Sequence, residues 1–421
     1  MEQKNRTIRP LTQGDLEDYL DIYLNAYPAF KSLDDDCREQ YRRRYSREIA
    51  EGKDVLAVGL FEDGTLIATM KLVSFSMNLY GQMQKACGLM SLAVHPLHKK
   101  KGAALDMVRY FEDYARDTGA LVTLLLPFSI AFYRRMGYGF GAKLDEYRVP
   151  TVCLPKPENL DGLLLLKAED VPQVLACHQR FAERNHGALA KFSEEVYNME
   201  SDTQVRRIGY VEDGSLKGYL AFRFEDASDV NYTQNRISVE EMVYEDGTVL
   251  RKLLGFLRLQ ADLAQTVVLR TGEADFYHLL EDPQDVSGNY IPYGFLQTNV
   301  SAVGTMFKVL DPAEFISATA YRKLPEETVT VRFVYEDELA HREKTVTVGF
   351  AGGHWSALED DAEPDVTVWC RAADLSSMLL GSCGLSSMVR MGGVGVSDPA
   401  LAEKVDRLLY LSRKPFSNAD Y

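Results

Sequence analysis

Residues 89–111 read LMSLAVHPLHKKKGAALDMVRYF: an apolar run, a basic turn and an amphipathic stretch, in a chain whose formal net charge is −15. The apolar run reads as a strand. Leu105, Val108, Phe111 and Ala115 recur at helical spacing, so a helix opens near Gly102. Its first turn carries N–H groups with no partner inside the helix, at the positive end of the helix dipole. Cations there cost roughly 0.3–1 kcal/mol each, and a bound polyanion removes that cost. Gly102 followed by Ala103 and Ala104 lets a phosphate approach the backbone without side-chain obstruction. Strand, basic loop and helix N-terminus together point to an anion site, with a solvated basic turn as the plain alternative.

Working outward, the stretch belongs to one of two weakly similar copies. The first runs LTQGDLEDYLDIY (11–23), VLAVGLFEDGTLIATMKL (55–72), LMSLAVHP (89–96), the basic loop with its helix, and GALVTLLL (119–126). The second runs LKAEDVPQVLACH (166–178), RRIGYVEDGSLKGYLAFRF (206–224), RISVEEMVY (236–244), TVLRKLLGFLRLQADLA (248–264) and TVVLRT (266–271). The order is helix, hairpin, strand, helix, strand in both, and each Asp-Gly, at Asp63 and Asp213, is a hairpin signal. Where the first copy has lysines the second has Glu245 and Asp246, which would repel a phosphate. Beyond Met306 the composition changes. VTVRFVYEDE (329–338), KTVTVGFAGGHW (344–355) and DVTVWCRAADLSSMLLG (365–381) read as a three-strand antiparallel run followed by helices. The expected divisions are 1–150, 151–305 and 306–421, all α+β.

Composition narrows the function. The chain has 421 residues, 46% of them hydrophobic, ample for several buried cores. No run approaches a membrane span or a signal-peptide core, so a cytoplasmic protein without a membrane partner is expected. The six cysteines and seven histidines show no metal-ligand spacing, which argues against a structural metal and for reduced thiols. A pI near 5.1 argues against a nucleic-acid partner and favours cationic ones.

The pattern Lys99-x-x-Gly102-x-Ala104 after a strand resembles the Q/R-x-x-G-x-G/A loop of the GNAT acetyltransferases, which holds the pyrophosphate of acetyl coenzyme A. With FYRRMGYGFG (132–141), the duplicated module and a tail that resembles the sterol-carrier-protein-like fold, the full length resembles the Eis (enhanced intracellular survival) type of N-acetyltransferase. That resemblance implies a catalytic first GNAT module, a degenerate second one without cofactor, a sterol-carrier-like third domain, and a homohexamer. It implies that Leu92, Ala93 and Val94 pair with the pantetheine arm. Lys99, Lys100, Lys101, Gly102, Ala103, Ala104 and Leu105 would hold the phosphates, and Phe128 and Ser129 border the cofactor. Tyr133 falls on the family's general acid, and the α-carboxylate of Tyr421 on its general base. The family often has Arg where this chain has Lys99 to Lys101, so fork-like phosphate contacts become point-charge contacts.

The chemistry asks for a polarised thioester carbonyl, a neutral amine, a proton sink and a proton for the departing thiolate. A backbone N–H near Leu92 serves the carbonyl if the strand splays there. A tyrosine stays protonated at neutral pH and can donate to sulfur; Tyr138 is the competing candidate for Tyr133. A terminal carboxylate is a weak base in water, so the terminus is expected to fold back into the first module, with Asp420 attracting a cationic substrate. Asp34, Asp35 and Asp36 either gather polyamines or aminoglycosides or cap the helix that follows, and capping is the simpler reading. The acceptor expected is an amine of a polyamine or aminoglycoside, with lysine side chains second. The competing reading is a coenzyme A-sensing or lipid-binding regulatory protein.

Overall fold

The computed structural model of the chain describes residues 5–27, 34–157, 159–338, 341–359 and 361–416. It opens with β1 (Arg6–Pro10), α1 (Leu16–Ala26) and α2 (Asp35–Glu51). An antiparallel meander follows, β2 (Val55–Glu62), β3 (Thr65–Leu79) and β4 (Gln82–Val94). Then come α3 (Ala103–Asp117), β5 (Val122–Leu125), α4 (Ile130–Arg135) and β6 (Gly139–Phe140). The middle of the chain repeats the plan with β7 (Lys143–Pro150), β8 (Leu163–Leu166), α5 (Val171–Arg184), α6 (Ser193–Ser201), β9 (Arg206–Glu212), β10 (Ser215–Asp226), β11 (Asn235–Tyr244), α7 (Gly247–Arg258) and β12 (Ala264–Thr271). Both expected hairpins form on the same turn chemistry. Asp63 and Gly64 have φ of 50° and 84°, and Asp213 and Gly214 have 50° and 71°, the left-handed pair that a two-residue turn requires.

After a small hairpin, β13 (Tyr290–Ile291) and β14 (Phe295–Leu296), come β15 (Val300–Val303) and β16 (Met306–Val309). The first sheet runs β1-β2-β3-β4-β5-β16-β6 and the second β8-β9-β10-β11-β12-β7-β15. The two sheets therefore exchange a strand: β7 leaves the first copy to pair with β12, and β16 returns to pair with β5 and β6. Strand membership thus crosses both expected divisions. The two connections touch where they pass, Gly141 N–H donating to the Thr305 carbonyl at 3.1 Å. Gly304 allows that approach, since a Cβ there would lie 2.8 Å from the Ala142 carbonyl oxygen.

The remaining chain forms α8 (Pro312–Ala318), β17 (Val329–Asp337), β18 (Arg342–Ala351), β19 (His354–Leu358), β20 (Val366–Arg371), α9 (Ala372–Leu379), α10 (Leu385–Arg390), β21 (Gly395–Val396) and α11 (Pro399–Leu409). Its sheet runs β19-β18-β17-β20-β21. Here one expectation is corrected: β20 lies parallel to β17, and the third antiparallel strand is β19, turned back onto β18 through Gly352 and Gly353. Helix α9 is buried along its length and packs against β6 so closely that a Cβ on Gly139 would fall 2.3 Å from the Ala373 carbonyl oxygen. One apolar core runs from Phe75 and Leu124 of the first sheet through Phe307 and Phe315 to Phe333 and Leu379.

Candidate active site

The site begins where β4 leaves β5. The two strands pair in parallel only from Ala86↔Val122 to Leu89↔Leu125. Beyond that, Ser91 takes a left-handed φ of 53°, and the register with β3 jumps from Lys71↔Met90 to Thr69↔Ala93. Ser91 and Leu92 thus oppose Met70 alone, which is a β-bulge that bends the strand away from its neighbour. The result is a V between the ends of β4 and β5, the splay that the sequence argument needed at Leu92. Leu92 and Ala93 are buried and Val94 partly so. Ala93 packs among the residues of α1 and α2, and Leu92 joins the core under α3.

The basic loop leads from the end of β4 into α3. Lys99, Lys100 and Lys101 are exposed, Lys100 with φ of 61°, and Lys101 Nζ donates to the Leu97 carbonyl at 3.1 Å. Gly102, with φ of 86°, precedes α3, and no side chain caps that helix end. The first backbone bond of the helix is Asp106 N–H to the Gly102 carbonyl at 3.1 Å, so the N–H groups of Ala103, Ala104 and Leu105 lie ahead of the helical ladder. Sequence reasoning missed Arg6. Its guanidinium holds the Lys101 carbonyl at 3.0 Å, Glu62 at 2.9 Å and Asp106 at 2.7 Å. It thereby neutralises the carboxylates nearest an incoming anion.

The middle module offers a direct contrast. It keeps a bulge, at Glu240, and β11 pairs with β12 only from Asn235 to Ser238. Its helix end, however, is already filled: the Asp246 carboxylate accepts from Thr248 N–H at 2.8 Å and Val249 N–H at 3.0 Å. Beside it Glu245 is ion-paired with Arg180 at 2.8 Å.

Across the V, Phe128 and Ser129 form the turn from β5 into α4, Phe128 being 71% exposed. Tyr133 lies one helical turn further on, buried, with ring contacts of 5.8 Å to Phe128, 5.1 Å to Phe132 and 5.9 Å to Tyr138. Burial raises its phenol well above the usual range. Tyr138 is likewise buried in the core under α3, and of the two rings it is that of Tyr133 that meets the exposed Phe128. A residue sequence reasoning missed is Tyr27, whose hydroxyl donates to the Leu92 carbonyl at 2.9 Å. The available signal was the helical spacing of Tyr19, Tyr23 and Tyr27, and of Tyr41 and Tyr45; these rings pack against one another, mostly edge-on or tilted, between α1 and α2. Beneath them Lys71 is fully buried, 2.5 Å from Glu48 and 3.5 Å from Glu194, which joins the first module to α6. Burial, opposed by Glu48, pulls the ammonium down to about 8.

The acidic trio opens α2. Asp34 caps α2 by accepting from Cys37 N–H at 2.9 Å, and Asp35 and Asp36 are exposed in its first turn. Asp420 and Tyr421 lie outside the described residues. The chain leading to them runs between the modules: Phe416 N–H donates to the His186 carbonyl at 2.8 Å, and its ring meets Phe181 at 5.8 Å. Phe416 and Leu126, just past β5, line one cavity of about 140 Å³ together with Glu240 and Gly272.

Family models for an acetyltransferase (GNAT) domain match residues 7–141 and, with a second model, residues 183–297. This chain carries two acetyltransferase domains of the GNAT family. The V, the basic loop and Gly102 lie in the first GNAT domain, and the Asp246-capped helix lies in the second. Two Streptomyces avermitilis proteins, each described as an uncharacterised N-acetyltransferase, are similar. One is 21% identical over 399 residues, covering 88% of this chain and 90% of that one; the other is 23% identical over 242 residues, 54% and 59%. Eis1 of Mycobacterium abscessus shares the fold at a TM-score of 0.76 and 20% identity, over 99% of this chain and 100% of that one. A probable N-acyltransferase of Enterococcus faecalis does so at 0.79 and 14%, over the whole of both chains. A GCN5-related N-acetyltransferase of Anabaena variabilis does so at 0.80 and 13%, over 99% and 100%. The tandem GNAT chain is an N-acetyltransferase, and GNAT domains use acetyl-CoA as donor. The uncapped end of α3 and the opened strand fit such a donor, with N–H groups for phosphates and unpaired strand edge for an amide-bearing arm. Among the described residues, no helix is long and apolar enough to cross a membrane and no side-chain cluster suits a metal.

Proposed function

We propose that the first GNAT module acetylates an amine of a cationic small molecule, with polyamines and aminoglycosides as the favoured class and lysine side chains next. The observation that carries this reading is the difference between the two helix ends: bare behind three lysines in the first module, closed by its own carboxylate in the second. Acetyl-CoA supplies the activated acetyl group as a thioester. Lys99, Lys100, Lys101 and the N–H groups of Gly102, Ala103, Ala104 and Leu105 hold its diphosphate. The edge of Leu92, Ala93 and Val94 holds the pantetheine arm, and Phe128 and Ser129 flank it. Backbone N–H at the bulge faces the carbonyl oxygen and stabilises the negative charge that develops there. Tyr133, kept protonated by burial, delivers its proton to the departing sulfur. The terminal carboxylate of Tyr421, reached by the tail beyond Phe416, takes the amine's proton, and Asp420 and the net charge of −15 draw cations in. In the same reading the three segments divide the labour as catalytic, degenerate and sterol-carrier-like units, the protein works in the cytoplasm, and the assembly is a homohexamer.

Thiol release from acetyl-CoA in the presence of an aminoglycoside tests the reading. Wild type should release thiol, and Tyr133→Phe should lower kcat by roughly 10²-fold or more while leaving acetyl-CoA affinity within about twofold. Silence with every polyamine and aminoglycoside tried would turn the reading to a coenzyme A-binding protein. An equal loss of affinity would make Tyr133 a packing residue.

A further inference from the structure

We infer that the hairpin β13–β14 is a self-association arm, through which two copies of this chain meet about a two-fold axis. The inference rests on exposure and charge and not on the acetyltransferase reading. In YIPYGFL, residues 290–296, the side chains of Tyr290, Ile291, Phe295 and Leu296 are each more than half exposed, and Tyr293 is wholly so. A strand that lays one face on a core hides every second side chain, but here both positions of both strands stand in solvent. Among the described residues the hairpin is a sheet of its own, joined to none of the three larger ones. Such a two-stranded ribbon is marginal in water unless a surface covers it. Its base is nonetheless fixed. Asp285, itself buried, accepts from Ser287 N–H at 3.0 Å and from the Gln297 side-chain amide at 2.5 Å. Its own N–H donates to the Gln297 carbonyl at 2.9 Å, and Val286 N–H ties the base to the Arg148 carbonyl of β7 at 2.9 Å. The apolar arm is thus carried on a braced base.

Area and charge select a second copy as the occupant. Three aromatic side chains of about 150–250 Å² each, with two aliphatic neighbours, offer on the order of 600 Å², most of the roughly 800 Å² that one side of a stable interface contributes. Between Asp285 and Lys308 no residue carries a charge, although 26% of the chain is charged. The same uncharged run includes β15, the free edge of the second sheet, exposed at Val300, Ser301 and Ala302. Exposed edges are ordinarily guarded by lysine or another charge, and neither the hairpin nor β15 has one. Two chains of net charge −15 repel wherever their acidic faces meet, so their contact is least opposed where charge is missing. A different partner for so acidic a chain would be matched by basic groups, and this arm gives such groups nothing to pair with. An uncharged apolar patch instead complements itself, as a two-fold contact requires.

Phe295→Asp and, separately, Tyr293→Asp put a charge on the arm at positions that solvent surrounds in a single copy, so each variant should keep the far-ultraviolet circular dichroism of wild type. The full-length proteins are compared by sedimentation velocity with no acetyl-CoA or amine present. Wild type should form an assembly with an even number of copies, and each variant should fall to half that mass or less. Amide hydrogen exchange across residues 290–296 gives a second readout. In wild type it should slow by about tenfold or more as the concentration rises through the association midpoint, and in the variants it should not slow. A wild type that is monomeric or odd-numbered overturns the inference and the homohexamer with it, while thiol release still tests the acetyltransferase reading separately. Variants that keep the wild-type mass, with arm exchange independent of concentration, overturn the inference alone and move the contact between copies to another surface.

Discussion

His186 joins two modules through bonds of opposite sense. Its Nδ1 accepts from Tyr80 N–H at 3.1 Å and its Nε2 faces the Leu380 carbonyl at 3.1 Å, so these partners assign the neutral ring with the proton on Nε2. A second proton would set N–H against N–H at Tyr80. Burial, aided by the nearby Arg322 cation and opposed by the Leu380 bond, pulls the imidazole down to about 4. Buried His178 is held near 4 as well, by burial with Glu241 pulling the other way. In the unfolded chain each titrates near 6.5, so between about 6.5 and 4 only the unfolded state takes up these protons. Stability is therefore full above pH 6.5 and falls as the pH drops through that window, by on the order of 1–3 kcal/mol per histidine. The urea midpoint should be lower at pH 5 than at pH 7, and His186→Gln should shrink that difference. A pH dependence unchanged in the variant would take His186 out of the account.

At the scale of elements, the matched helix ends make a controlled comparison. Asp246→Ala removes the cap of α7 and should cost about 1 kcal/mol in urea unfolding, with acetyl transfer unaltered. A fall in transfer rate beyond twofold would mean that the second module contributes to the chemistry. Much at this scale was legible in advance because its causes are local. The Asp-Gly pairs at 63–64 and 213–214 demand left-handed backbone, and the spacing of Leu105, Val108 and Phe111 sets the face of α3. The bulge was not legible, since nothing in LMSLAV marks Ser91 for φ of 53°; the conformation comes from the mismatch with β3. Nor was the parallel placement of β20, because backbone ladders carry no signature of their partner. Tyr27 escaped for a related reason: its partner is a carbonyl, and the contact exists only once the end of α1 is placed beside β4.

For the whole molecule, the path of the tail matters most to the proposed chemistry. Leu411, Pro415 and Phe416 pack against Gly381, Gly187 and Gly272 so closely that a Cβ at any of the three would collide with them, which commits the last described residues to the seam between modules. Appending several residues after Tyr421 should therefore slow acetyl transfer by roughly tenfold or more with acetyl-CoA affinity unchanged. Undiminished turnover would remove the terminus from the mechanism. The duplication itself was readable from the repeated order of elements, whereas the exchange of β7 and β16 was not, because each short strand fits either sheet by pattern. That exchange has a consequence for synthesis on the ribosome. The edge of β5 waits for Met306–Val309, more than 160 residues downstream of β6, to be translated. At 5–20 residues per second the nascent chain carries an open β5 edge for roughly 10–30 s, a window in which chaperone capture or mispairing competes with closure.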